Sequence, residues 1–187
     1  ILEPSPLPVL GMNAGSISMS GGSNIRLKSN ENGGRLDAKI DGNLLLESGS
    51  TIQLNQGENE HAKGLLGIIA ENITIDTGAI IGDDIDIEAR GDFLLGLEEP
   101  NGMSRIWTDT TQPPGVKIKS NNFISNSGFV YVKGQGQDVD FSVDIKPRLI
   151  ISAVDQVSLD KGSGLMVEGT WSPNGGLFVD AKNISIK

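Results

Sequence analysis

Four carboxylates crowd together at Asp83, Asp84, Asp86 and Glu88. The last three alternate with Ile85, Ile87 and Ala89, so on a strand the acids share one face and the apolar residues the other. Three carboxylates on an outer face could bind a hard cation such as Ca²⁺ if neighbouring segments added oxygens. Their spacing matches neither the EF-hand loop nor the nonapeptide calcium repeat, and a solvated acidic face is the plainer reading. Asp138 and Asp140, beside Val139 and Phe141, read the same way.

Other residues carry weaker signals. Arg90, Gly91 and Asp92 form the tripeptide that integrin-type receptors recognise on a protruding turn, where the guanidinium and carboxylate splay apart; here it joins two strand-like segments at a glycine, as a structural turn would. Trp107, Trp171 and Tyr131 could stack on sugars as amphipathic platforms, and both tryptophans lie in proline-containing stretches that read as loops. Capping of the core is the competing reading. His61, the sole histidine, sits beside Glu60 in a polar stretch and reads as a surface residue. Asn72-Ile-Thr and Asn183-Ile-Ser are formal glycosylation sequons that coincide with a repeated corner. No Ser-His-Asp set, His-rich metal motif or phosphate-binding glycine loop is visible. The expected cofactor is none, with Ca²⁺ the one candidate.

The elements that must position these residues are repeats. A seven-residue signature, an amide or acid followed by alternating apolar positions and a closing glycine, recurs at Asn43–Gly49, Asn72–Gly78, Asn122–Gly128 and Gln156–Gly162. The alternation is that of strands, and Gly49, Gly78, Gly128 and Gly162 mark turns expected to need positive φ. Asn24 begins a divergent copy with Asn30 in place of the glycine. Asp84-Ile-Asp-Ile and Asp92-Phe-Leu-Leu are partial copies. The signature extends backwards, with apolar residues six and four positions earlier and a small residue two earlier: Leu66, Ile68, Ala70; Val116, Ile118, Ser120; Leu177, Val179, Ala181; approximately Ile150, Ser152, Val154. Two strands meeting at a polar corner and turning again at glycine make a bent ribbon, and the corner amides could stack into ladders.

Composition agrees. The chain has 187 residues, 37% hydrophobic, with 25 glycines and only 4% aromatics, which fits many tight turns around a thin aliphatic core. With 24 acidic against 15 basic residues the net charge is -9, which opposes binding to a nucleic-acid backbone. No apolar run reaches the roughly 20 residues that span a bilayer, so no membrane insertion is expected. The absence of cysteine removes disulfides and thiolate metal sites.

These observations predict an all-β chain: a single-stranded parallel β-helix, or β-solenoid, right-handed, with about eight turns of roughly 20–27 residues. At about 4.8 Å per turn the rod would be on the order of 40 Å long. Residues 1–15, with Pro4, Pro6 and Pro8, read as an extended arm with a processed or excised end. Residues 16–187 read as one solenoid domain with loop insertions near 55–64 and 96–115. The last repeat breaks off at Lys187, which points to a longer natural chain or a partner at that end.

The segments Gly115–Phe123 and Gly176–Ile186, which read Gly-Φ-x-Φ-x-(Ala/Ser)-x-Asn-Φ, resemble the repeats of filamentous-haemagglutinin-type bacterial exoproteins. Glu99-Pro-Asn-Gly-Met103 is similar to that family's Asn-Pro-Asn-Gly-Ile box but departs at its first residue. The resemblance implies a secreted right-handed β-helix acting as an adhesin or a stalk, and adhesins of this kind can carry the Arg-Gly-Asp tripeptide. The expected function is therefore a non-catalytic structural or adhesive module of an extracellular, bacterial surface protein or filament. Its partners would be protein or carbohydrate on a cell surface, and further repeats or other copies at the solenoid ends. A subunit of a self-assembling fibre or phage-type spike is the alternative. A β-helix polysaccharide lyase or glycosidase is the third reading, which a groove with convergent carboxylates and a Lys or Arg would favour.

Overall fold

A computed structural model describes residues 8–29, 33–55, 64–96, 104–110, 115–134, 148–160, 162–168 and 176–187. Among them the chain is all-β, with no helix, and its eighteen strands fall into seven passes. The first pass is β1 (Val9–Ala14), β2 (Ile17–Met19) and β3 (Asn24–Lys28). The second is β4 (Gly34–Ile40), β5 (Leu44–Glu47) and β6 (Thr51–Asn55). The third is β7 (Gly64–Ala70), β8 (Ile73–Asp76) and β9 (Ala79–Ile81). The fourth is β10 (Asp84–Ala89), β11 (Asp92–Leu95) and β12 (Ser104–Thr110).

In the next two passes the first and second strands run together. The fifth pass is β13 (Gly115–Ser125) and β14 (Gly128–Gly134); the sixth is β15 (Arg148–Leu159) and β16 (Gly164–Glu168). The seventh holds β17 (Gly176–Asp180) and β18 (Asn183–Ile186).

Each strand pairs in parallel with the corresponding strand of the adjacent passes. First and second strands build a twelve-stranded sheet, which is continuous because β13 and β15 belong to both halves. Third strands build a six-stranded sheet in the order β16-β14-β12-β9-β6-β3.

Registered pairing makes columns of like residues. Leu10, Leu36, Leu66, Ile85, Val116, Leu149 and Leu177 occupy one inward position through all seven passes. Ile17, Leu44, Ile73, Phe93, Phe123, Val157 and Ile184 occupy another. The middle members are buried, and the Phe93 and Phe123 rings stack at 5.4 Å with 12° between planes. Burying each such side chain contributes about 1.5–3 kcal/mol, so the columns are the main source of cohesion.

Four sequence expectations are corrected here. The arm boundary moves, because Val9–Ala14 is a strand registered on Arg35–Ile40, its Leu10, Met12 and Ala14 alternating inward. Trp107 lies in β12, a strand inside the expected 96–115 insertion, because Ile106 and Thr108 alternate with it into the core. Asn24 opens β3 and registers with Thr51, not with Asn43. In β15 the inward residues are Leu149, Ile151 and Ala153, because two residues, Val154 and Asp155, stand where β13 has Asn121 alone. One inserted residue reverses which side chains face in. Residues 56–63, 97–103, 135–147 and 169–175 lie outside the described residues, and with them His61, Glu99–Met103, Asp138, Asp140 and Trp171.

Candidate functional site

The corner between first and second strands is a hydrogen-bonded ladder. The Asn43 backbone N–H donates to Ser16 Oγ at 3.1 Å, Asn72 Nδ2 donates to Asn43 Oδ1 at 3.0 Å, the Asp92 backbone N–H donates to Asn72 Oδ1 at 2.9 Å, and Asn122 Nδ2 donates to Asp92 Oδ1 at 2.7 Å. The ladder explains the tripeptide locally. Asp92 is a rung, and the Gly91 amide donates to the Glu71 carbonyl at 2.6 Å. A Cβ on Gly91 would overlap Asn72 Oδ1, so glycine is needed there for room. Arg90 is exposed, 3.9 Å from Glu71. Asp92, which opens a partial copy of the signature, is thus a rung, and Ser16 is the rung that the signature did not include, since a hydroxyl stands there in place of an amide or acid.

The signature glycines divide into two settings. Gly49 and Gly162 have φ of 77°. Each is the third residue of a four-residue turn closed by Ser50 N–H on the Glu47 carbonyl or Ser163 N–H on the Asp160 carbonyl, both at 3.0 Å. Gly78 and Gly128 do not have positive φ. They align one residue later, with Ser50, Ser104 and Ser163. A Cβ on Gly78 would lie 2.8 Å from Leu46 Cβ, and one on Gly128 would overlap the Leu95 side chain. The turn is shorter by one residue in those passes, which a fixed seven-residue count conceals.

The acidic group is split. Asp83 is only 3% exposed and its Oδ2 accepts the Gly64 N–H at 3.0 Å, holding the start of β7. Asp84, Asp86 and Glu88 point outward between buried Ile85, Ile87 and Ala89 as the alternation requires. Asp86 pairs with Lys117 at 3.4 Å. Among the described residues no three His, Asp or Glu side chains converge as a metal set.

Near these acids a shallow groove crosses Gly67, bordered by Asp37 and Asp86 on the flanking strands and by Arg35, Lys39 and Glu88. Arg35 Nε bonds Asp37 Oδ2 at 2.5 Å, and that bond, with the charge of Asp37, raises the guanidinium pKa.

The outer face of the six-stranded sheet carries an aromatic pair. Its central outward column runs Arg26, Gln53, Ile81, Trp107, Tyr131, Met166, and Phe129 stands two residues before Tyr131 on β14. Trp107 and Tyr131 meet edge to face at 5.8 Å and 73°. The Tyr131 hydroxyl donates to Glu168 Oε2. Trp107 Nε1 is enclosed and has no hydrogen-bond partner among the described residues. Two of the three predicted sugar-contact residues are thus brought together, and Phe129, Met166, Arg105 and Glu168 join them. Sequence reading missed these four, although the registered alternation of β12, β14 and β16 would have placed them on one face.

No protein-family model, curated protein or solved structure matches the chain. No helix among the described residues is long and apolar enough to cross a membrane.

Proposed function

We propose that the chain winds as a single-stranded, right-handed parallel β-helix and serves as a structural or adhesive module of an extracellular, bacterial-type surface protein or filament. The observation that carries this reading is the persistence of inward columns and corner ladder through successive passes. Such a body is held by backbone ladders running along its length, and its outer faces are left to make contacts. The residues with most chemical potential support a mechanical role: Asp92 is a corner rung, Asp83 caps a strand, and the groove acids Asp37 and Asp86 are paired with Arg35 and Lys117. Right-handedness follows the rule for parallel crossover connections.

The alternative is a self-assembling fibre subunit, whose copies would join through exposed strand edges.

The test is adhesion. Beads carrying the 187-residue chain should attach to polysaccharide- or protein-coated surfaces more than beads carrying an inert protein. Absence of attachment, together with release of new reducing ends from polysaccharide by the soluble chain, would replace this reading with the enzyme.

A further inference from the structure

We propose that the outer face formed by β12, β14 and β16 binds a neutral β-1,4-linked glycan, stacked on Phe129 and Tyr131 and hydrogen-bonded by Glu168, Arg105 and Trp107. This deepens the adhesive reading and rests on it for its biological meaning, though the binding itself stands or falls alone.

The fold does not demand aromatic residues on this face. The same outward column holds Arg26 and Gln53 in the first two passes, so exposed polar side chains satisfy the position, yet it turns to Ile81, Trp107, Tyr131 and Met166 further along. Phe129 is accommodated by its neighbour. A Cβ on Gly164, the residue registered with it, would lie 2.7 Å from ring atoms Cδ1 and Cε1, so the ring leans across the next strand in the space a side chain would fill. An aromatic ring lying along a sheet, half-buried, is a platform and not a core plug.

Polar groups at the margin specify the ligand. Arg105 is exposed and registers with Phe129, while Glu168 accepts the Tyr131 hydroxyl. The Trp107 Nε1–H is a donor without an acceptor among the described residues. A buried donor normally has a partner, and a ligand hydroxyl would supply one. Aromatic surface flanked by a carboxylate, a guanidinium and an indole N–H matches a pyranose, whose ring C–H groups form an apolar face and whose hydroxyls project from its edge. Registered strands about 4.8 Å apart make this a track, which suits the extended ribbon of a β-1,4 linkage. The net charge of -9 disfavours acidic polysaccharides, leaving neutral glycans such as glucose or N-acetylglucosamine polymers.

The test is an NMR titration of the whole chain with cellohexaose and, separately, chitohexaose to about 10 mM, enough to detect Kd values of order 1 mM. The Trp107 indole N–H signal is assigned by its loss in Trp107→Phe. The proposal expects a saturable shift of that signal with at least one glycan, weakened roughly tenfold or more in Phe129→Ala and unchanged in Thr74→Ala on the other sheet. If Phe129→Ala does not fold, Arg105→Ala must weaken binding instead. No saturable shift with either glycan overturns the proposal, as does binding indifferent to both variants. A Trp107 shift produced only by concentrating the protein would overturn it too, marking the face as a contact between copies. Glycan binding without bead attachment would sink the adhesive reading alone; attachment without glycan binding would sink this site alone.

Discussion

The Asn72 side chain donates from Nδ2 to Oδ1 of Asn43, the residue at the same corner one pass earlier, at 3.0 Å. Its own Oδ1 accepts the Asp92 backbone N–H at 2.9 Å, so one amide joins three passes. Asn72→Ala removes both bonds and leaves the Asp92 N–H without its acceptor. The expected loss is about 1–3 kcal/mol in urea unfolding. Asn72→Asp keeps the acceptor, loses the donor and sets a second carboxylate near Asp92, so its loss should shrink as salt is raised. A salt-independent loss equal to that of alanine would mean that the amide is only a spacer.

Gly49 and Gly78 close the same signature but should respond differently to substitution. At Gly49 the cost is conformational, because φ is 77° and space is open: Gly49→Ala should lose about 1 kcal/mol, and Gly49→Asn less, since asparagine tolerates the left-handed region. At Gly78 the cost is steric, with Leu46 Cβ 2.8 Å and the Leu46 carbonyl oxygen 3.0 Å from an added Cβ. There Gly78→Ala should lose about 1–3 kcal/mol, and asparagine should give no relief. Equal rescue by asparagine at both positions in urea melts would refute the division.

That division marks where the sequence was legible. Alternation with period two and the recurring corner amide were enough to place Leu66, Ile68, Ile73 and Ile75 inward and to pair Asn43 with Asn72, because both signals depend only on local spacing. Insertions were not legible. The extra residue in the Glu47–Ser50 turn, and the paired Val154 and Asp155, shift register without changing composition, so Gly78 looked like Gly49 and Val154 looked inward. Asn24 resembles a corner because its apolar neighbours alternate equally well on any of the three strands of a pass. The aromatic face depends on partners 24 and 35 residues apart, Trp107 to Tyr131 and Tyr131 to Met166, and only the register brings them together.

The four clustered carboxylates should separate by burial. Asp83→Ala strands the buried Gly64 N–H and should lose about 1–3 kcal/mol, while Asp83→Asn keeps an acceptor oxygen and loses less. Asp84→Asn, Asp86→Asn and Glu88→Gln, on the outward side of β10, should each stay within about 0.5 kcal/mol. The melting temperature is expected not to rise with millimolar Ca²⁺. A calcium-dependent rise that disappears in the double variant Asp84→Asn, Asp86→Asn would establish a metal site on this face, since a ligand bound to the folded state stabilises it by mass action.

The Arg-Gly-Asp tripeptide offers a test in which structure and attachment predict opposite patterns. Asp92 accepts Asn122 Nδ2 at 2.7 Å, so Asp92→Ala should lose about 1–2 kcal/mol whatever the partner. Arg90 makes only an exposed contact with Glu71 at 3.9 Å, so Arg90→Ala should change stability by less than about 0.5 kcal/mol. A receptor reading the tripeptide needs both charged groups presented together, whereas the corner already engages the Asp92 carboxylate in its ladder. The expected result is therefore that Arg90→Ala beads attach to integrin-bearing cells no less than the parent chain, with unchanged melting. If Arg90→Ala instead abolishes attachment while stability holds, the guanidinium is a recognition group, and the ladder must release Asp92 when the receptor binds.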